Sequence, residues 1–349
     1  MNKPLCAALL TLGAISAQAA APCPVSAAPG FDQARLCAVL TGFRDGPVNF
    51  HGLLVQHQGR IVAELYKPGQ DRSVYSFSRH HDFDADTLHD VRSISKSVTS
   101  LLWGIAQAEG KVPPLSATAA SQLPELPALN DGRANITLEH LITMSSGLAW
   151  NEASSYKLFG NEETGLYWHG SQARYLFNRA LDKPPGSTFN YNGGGTAVLA
   201  QLLAKGTGMP LTQYARLKLF EPLGITHWEW VADLRGRPLA FAGLRLRPRD
   251  LARIGQLMLD HGMWQGRQLV PAQWIAQSTT THLPTGDGLG YGYQWWTGKV
   301  EANGKQHPWF AGIGNGGQRL FVVPTLDLVV VVTAGDYGNS ATGGKANAL

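Results

Sequence analysis

The sequence predicts an α/β (α+β) fold: an antiparallel sheet built from both ends of the chain, flanked by helices, with a mainly helical lobe inserted between them. Three observations lead there. Strand-like runs occur at residues 53–66 and again at 291–333, whereas the stretch from about 113 to 275 carries helical apolar spacing interrupted by polar and Pro/Gly-rich turns. Of 349 residues, 44% are hydrophobic and only 15% charged, which supplies a substantial core and excludes a disordered or coiled-coil chain. The 40 glycines and 20 prolines are spread along the chain, marking many tight connections rather than one linker.

The elements follow in order. Lys3, the short apolar run Leu5 to Ile15 and the small-x-small triplet Ala17-Gln18-Ala19 read as an export leader, residues 1–19, cleaved near Ala19. The expected location is therefore periplasmic or secreted. No later run reaches the roughly 18 apolar residues of a membrane span, so no stable membrane anchor is expected. Cleavage takes away Lys3 and no acidic residue, so the formal charge of +4 becomes +3. So small a balance, without a Lys/Arg cluster, gives no case for nucleic acid. Cleavage also removes Cys6, leaving Cys23 and Cys37, which can pair in an oxidising compartment and tie the N-terminus to the first helix. Spacing alone leaves that pairing open.

Phe31 to Thr41 has helical spacing. Leu53–His57 and Arg60–Tyr66 flank Gln58-Gly59 as a hairpin. Ile94, Val98, Leu101, Leu102 and Ile105 mark a buried helix that stops at Gly110. Helices are further expected from Thr137 to Ile142, from Gly195 to Leu203 and from Pro248 to Leu259. Strands return at Tyr291–Trp296, Gln318–Val323 and Leu328–Thr333. The domain reading is one unit over 45–335, with a sheet lobe at about 45–112 and 276–335, a helical lobe at about 113–275, and a tail over 336–349.

Chemistry concentrates in three places. Ser93-Ile94-Ser95-Lys96 opens the buried helix, and residues three apart share a helical face, so a hydroxyl and an amine can meet there. Ser93 would sit at the helix N-terminus, where N–H groups favour developing negative charge. A lysine buried beside it loses hydration and can take the serine proton. About one such spacing arises by chance in a chain of this length, and Ser154-Ser155-Tyr156-Lys157 is a second copy in a polar stretch without a following amphipathic helix. Context selects the first, although an N-cap serine with a solvated Lys96 remains the plain alternative. The second place is Pro185 to Gly195, a turn that can aim Tyr191 into a cleft as a proton-transfer group, its ionisation eased by a nearby ammonium; a core aromatic beside a Gly-rich turn is the plain reading. The third is Phe310 to Gln318, whose glycines let a substrate approach backbone N–H groups that could hold an oxyanion.

These motifs, in this order, resemble the penicillin-recognising serine hydrolases: class C β-lactamases, D-alanyl-D-alanine peptidases, related esterases and 6-aminohexanoate-dimer hydrolases. The resemblance runs from about residue 45 to 335. It includes Asp90–Ser97, Thr143–Leu148, Phe220–Ile225, Pro248–Arg253 and Tyr291–Trp296. It implies a β-lactamase/transpeptidase-like fold, no cofactor or metal, and a small-molecule ester or amide as partner. It makes Ser93 the acylated nucleophile, Lys96 its base and Tyr191 the second proton-transfer group, with the backbone N–H groups of Ser93 and Asn315 as oxyanion hole.

The sequence also departs from that pattern. The β-lactamases and peptidases carry asparagine two residues after the tyrosine or serine of the second motif, and here that position is Gly193. Their third motif begins with Lys or His, whereas the matching stretch here is Phe310-Ala311-Gly312 or Gly314-Asn315-Gly316, without a cation. Relatives usually close with a helix, and the Gly/Asn/Ala-rich tail shows none. The pattern is closest to the 6-aminohexanoate-dimer hydrolase and esterase branch. β-Lactamase or peptidase activity, and a non-catalytic cell-wall-binding relative, are the alternatives. His80 to Asp86 offers oxygen ligands at alternate positions but lacks the glycine and distal glutamate of a calcium loop. No His-Glu-x-x-His or Gly-x-Ser-x-Gly sequence supports a metallohydrolase or an α/β-hydrolase.

Overall fold

The structure, a computed structural model, describes Cys23, Val25 and residues 30–152 and 160–348. The expected leader, residues 1–19, and the second Ser-x-x-Lys copy at 154–157 lie outside the described residues.

Eight strands form one sheet: β1 (Phe50–His57), β2 (Arg60–Tyr66), β3 (Leu283–Pro284), β4 (Gly290–Tyr291), β5 (Trp296–Ala302), β6 (Lys305–Gly314), β7 (Gln318–Val323) and β8 (Leu328–Ala334). Their order is β3-β4-β5-β6-β7-β8-β1-β2, with every neighbouring pair antiparallel. The first strand lies against the last, in register from Phe50↔Ala334 to His57↔Leu328, so both chain ends do build one sheet. Gln58 and Gly59 both take positive φ, the geometry of a tight hairpin turn between β1 and β2.

The main helices are α1 (Gln33–Asp45), α2 (Ile94–Ala108), α3 (Gly193–Thr207), α4 (Pro248–Leu259) and α5 (Ser340–Ala348). Successive strand residues point to opposite faces. Leu54, Val329 and Val331 join the core with α2 and α4. Their neighbours Leu53, Val55 and Val332 pack with Leu36, Leu40 and Phe43 of α1 and Ala346 of α5. Both faces are thus covered by helices, which is why these strands read as continuous apolar runs. Each fully buried Leu or Val contributes about 1.5–3 kcal/mol to that sandwich.

Cys23 and Cys37 form a disulfide that fastens the N-terminal segment to α1. It spans 14 residues, and closing a loop of that length stabilises by about 3 kcal/mol in the chain-entropy account. Cys37→Ser is expected to lose up to about that amount in chemical denaturation, and the same loss should follow reduction of the wild type.

Two expected elements take another form. The run Tyr291–Trp296 is not one strand. It breaks between β4 and β5, where Gln294 is left-handed at φ 65°. Ser97 Oγ donates to the Gln294 carbonyl at 2.7 Å, Gln294 Nε2 donates to Ile142 O at 2.7 Å, and Thr196 Oγ1 donates to Gln294 Oε1 at 2.7 Å. Those bonds tie the sheet to α2 and α3 and offset the cost of the turn. The tail is also not structureless, because α5 closes the chain. Its sequence has little apolar periodicity; Arg319, buried under it, donates to Gly343 O at 2.8 Å and to Asn347 Oδ1 at 2.6 Å. A clamp from β7, not an amphipathic stripe, holds this helix.

Candidate active site

A small three-stranded sheet sets the start of α2. Its members, His89–Asp90, Leu244–Leu246 and Glu229–Trp230, are too short to leave a sequence pattern. Val91 N–H donates to Leu244 O at 3.1 Å, and Ser95 Oγ donates to Arg92 O at 2.6 Å. Arg92 is left-handed, φ 50°, a conformation costing an ordinary residue about 1–2 kcal/mol. Its guanidinium donates to Arg72 O at 2.6 Å, lies 3.4 Å from Asp90 Oδ2 and stacks 4.0 Å over the Tyr337 ring, which holds the turn in place.

Ser93 follows at the N-cap with helical φ and ψ, and its side chain caps nothing. The hydroxyl is left to Lys96, whose Nζ stands 3.0 Å from Ser93 Oγ. Lys96 is 1% exposed, so the alternative of a solvated lysine does not describe this fold. Its Nζ donates to the Phe241 carbonyl at 2.8 Å, faces Glu163 Oε2 at 3.6 Å and lies 4.8 Å from the centre of the Tyr191 ring.

Tyr191 arrives on a loop that is held at both ends. Asn190 N–H donates to Met144 O at 2.7 Å, and Asn190 Nδ2 donates to Leu148 O and Trp150 O. Asn192 Oδ1 accepts from Gly195 N–H at 3.2 Å and caps α3. The Tyr191 ring stacks on Trp296 at 5.8 Å, and its hydroxyl is close enough to that of Ser93 to feel it electrostatically. Burial, aided by the Glu152 carboxyl and opposed by the Ser93 hydroxyl, pushes the phenol well above its ordinary value. This corrects the expectation of an ionisation eased by ammonium: Tyr191 is a protonated phenol across the neutral range.

Asn315, directly after β6, lines the same cavity as Ser93, which has a volume of about 270 Å³. Its side-chain oxygen accepts from Gly338 N–H at 2.8 Å. The two possible alignments of the third motif separate here. Gly312 lies against Ile94 and Ser97, past Ser93, whereas Asn315 of the Gly314-Asn315-Gly316 alignment lines the cavity. Gly314 has to be glycine because a Cβ there would stand 2.3 Å from Val91 O.

Sequence reasoning missed the acidic side of the site and its aromatic wall. Glu152 and Glu163 flank Lys96 and Gly193. Tyr75, Tyr167 and Trp168 contact one another along the cavity, with Arg72 at its rim. Neither set falls in a periodic or motif-like stretch. Gly193, the departure from the β-lactamase and peptidase pattern, was the one trace of the carboxyls.

Comparison with known proteins bears on the family and the fold. The sequence profile of the beta-lactamase family matches residues 49–348. A 6-aminohexanoate-dimer hydrolase from Paenarthrobacter ureafaciens is 25% identical over 307 residues, 80% of this chain and 70% of that one. Among solved structures, a Bacillus anthracis protein assigned as a 6-aminohexanoate-dimer hydrolase superposes with a TM-score of 0.72 at 23% identity, covering 90% of this chain and 79% of that one. A family VIII carboxylesterase gives 0.67 at 18% identity, covering 91% and 97%. The fold is shared with both. With its family profile matched over most of its length, the chain belongs to the beta-lactamase family of hydrolases.

Proposed function

We propose that this protein is an exported serine hydrolase that opens esters or linear amides through an acyl-enzyme on Ser93. The observation that carries the reading is a buried lysine nitrogen 3.0 Å from an uncapped serine hydroxyl, with the ring of a protonated tyrosine 4.8 Å from that nitrogen. In the reactive form Lys96 has shed its ammonium proton; it donates one N–H to Phe241 O and presents its lone pair to Ser93. As Oγ attacks the substrate carbonyl carbon, the serine proton passes to Nζ and the carbonyl π pair moves onto oxygen. The N–H groups of Ser93 and Asn315 hold that oxyanion. On collapse the carbonyl re-forms, the C–O or C–N bond breaks, and Tyr191 gives its proton to the leaving group, regaining one from the Lys96 ammonium. Water then releases the acyl group by the reverse sequence.

The relative's name, a 6-aminohexanoate-dimer hydrolase, and the carboxylesterase likeness support this substrate class. So does β6, whose Lys305 and His307 lie at the end of the strand away from Gly314, leaving no strand cation beside Ser93 for a β-lactam carboxylate. Export is supported by the leader-like pattern of residues 1–19 and by a disulfide suited to an oxidising compartment. The test is a screen of p-nitrophenyl acetate and butyrate, small linear amides and nitrocefin: turnover of the esters or amides with little of nitrocefin is expected, and the reverse order would overturn the assignment. Tyr191→Phe is expected to lower acylation by about 10–100-fold. The loss should be greater for alkyl esters and amides than for p-nitrophenyl esters, whose leaving group needs no proton. An equal rate on all of them would remove Tyr191 from proton transfer.

A further inference from the structure

The space beside Gly193 is full. A Cβ there would stand 3.0 Å from Glu152 Oε1, 3.4 Å from Glu163 Oε2 and 3.4 Å from Phe241 Cβ. Two carboxyls from separate segments therefore occupy the volume that a side chain at 193 would need. Glu152 Oε1 accepts from Trp150 Nε1 at 2.6 Å and from Gly193 N–H, while its Oε2 is buried without a hydrogen-bond partner among the described residues. Glu163, 2% exposed, turns Oε2 to Lys96 Nζ and accepts at Oε1 from the Tyr167 hydroxyl at 3.4 Å. Among the described residues Lys96 is the one cation acting on the pair; the neighbouring phenols are Tyr167, Tyr191 and, from β4, Tyr291. Two enclosed carboxyls sharing a single ammonium cannot both carry charge at neutral pH, so the pair holds one proton.

We propose that Glu163 is the positioning residue for Lys96: its carboxylate stabilises the ammonium formed when Lys96 takes the Ser93 proton, while Glu152 keeps the pair's proton and braces Gly193. The inference rests on the serine-hydrolase reading of this site. The serine proton stops on Nζ; none passes to Glu163. Burial, and next the Glu163 charge, push the Glu152 carboxyl up to about 8, with Lys96 opposing. Above that pH Glu152 ionises and sets a second negative charge by Lys96, which holds the lysine protonated and slows turnover. The alkaline side of the rate profile therefore belongs to Glu152.

The experiment measures kcat and KM for p-nitrophenyl butyrate from pH 5 to 10, per active site counted by fluorophosphonate labelling of Ser93. Wild type, Glu163→Gln and Glu152→Gln are compared. In Glu163→Gln the expected result is a fall in kcat of about 10-fold or more, KM within about two-fold, and an ascending limb moved about one unit to lower pH, because the charge that favours the ammonium is gone. A lower kcat with the limb unmoved would mean a merely structural glutamate and overturn the proposal, as would an unchanged kcat. In Glu152→Gln the ratio of kcat at pH 9 to kcat at pH 7 is expected to rise. A ratio equal to that of wild type overturns the pair, and this arm decides alone if Glu163→Gln does not fold. Should wild type itself take no label at Ser93, the serine-hydrolase reading fails first, and the proposal falls with it.

Discussion

Ser93→Ala is expected to lower kcat for p-nitrophenyl butyrate by on the order of 10⁴–10⁶-fold while leaving the fold intact. Both halves follow from the geometry. The hydroxyl is the atom that would become acylated, and no other nucleophile stands 3.0 Å from Lys96 Nζ among the described residues. Yet it caps no helix N–H, and Lys96 retains Phe241 O and Glu163 when it is gone. Thermal melting should therefore stay within about 1 °C of wild type, less than 1 kcal/mol for a chain of this size. Ester hydrolysis at the wild-type rate by this variant would show that the proposed mechanism is wrong.

Lys96→Ala should behave differently. A positioned base contributes about 10²–10⁴-fold, and the loss should fall on kcat rather than KM. Removing the lysine also leaves the Glu163 carboxylate enclosed without its cation, and breaking a buried pair from one side costs about 3–5 kcal/mol. The variant is thus expected to be both slow and markedly less stable in urea, whereas Ser93→Ala is slow and stable. A loss confined to KM would make Lys96 a substrate-binding group, and unchanged stability would contradict the ion pair.

What could be read from the sequence was what local pattern encodes. Pro248 at the first turn, followed by amphipathic spacing, marks α4 over the residues it occupies. The Gln58-Gly59 turn gives the first hairpin, and the Val-rich runs give β7 and β8 as expected, to within a residue. Ser93 and Lys96 were legible because helical spacing alone puts them on one face. The rest depends on partners distant in the chain. Gln294 breaks its strand because Ser97, Ile142 and Thr196 hold it in a left-handed turn. Helix α5 exists because Arg319 reaches it from β7. Glu152 and Glu163 lie in polar segments without periodicity, and only their crowding against Gly193 shows what they do. Tyr191 was found by its loop, but its protonation was misjudged, since burial outweighs a nearby ammonium that meets the ring rather than the oxygen.

The most direct test is to react the protein with a fluorophosphonate, weigh it intact and map the adduct by peptide digestion. The account predicts one adduct per chain, on the peptide carrying Ser93, lost in Ser93→Ala and accompanied by complete loss of p-nitrophenyl butyrate turnover. An adduct on Ser154, or turnover that persists while Ser93 is fully labelled, would contradict it.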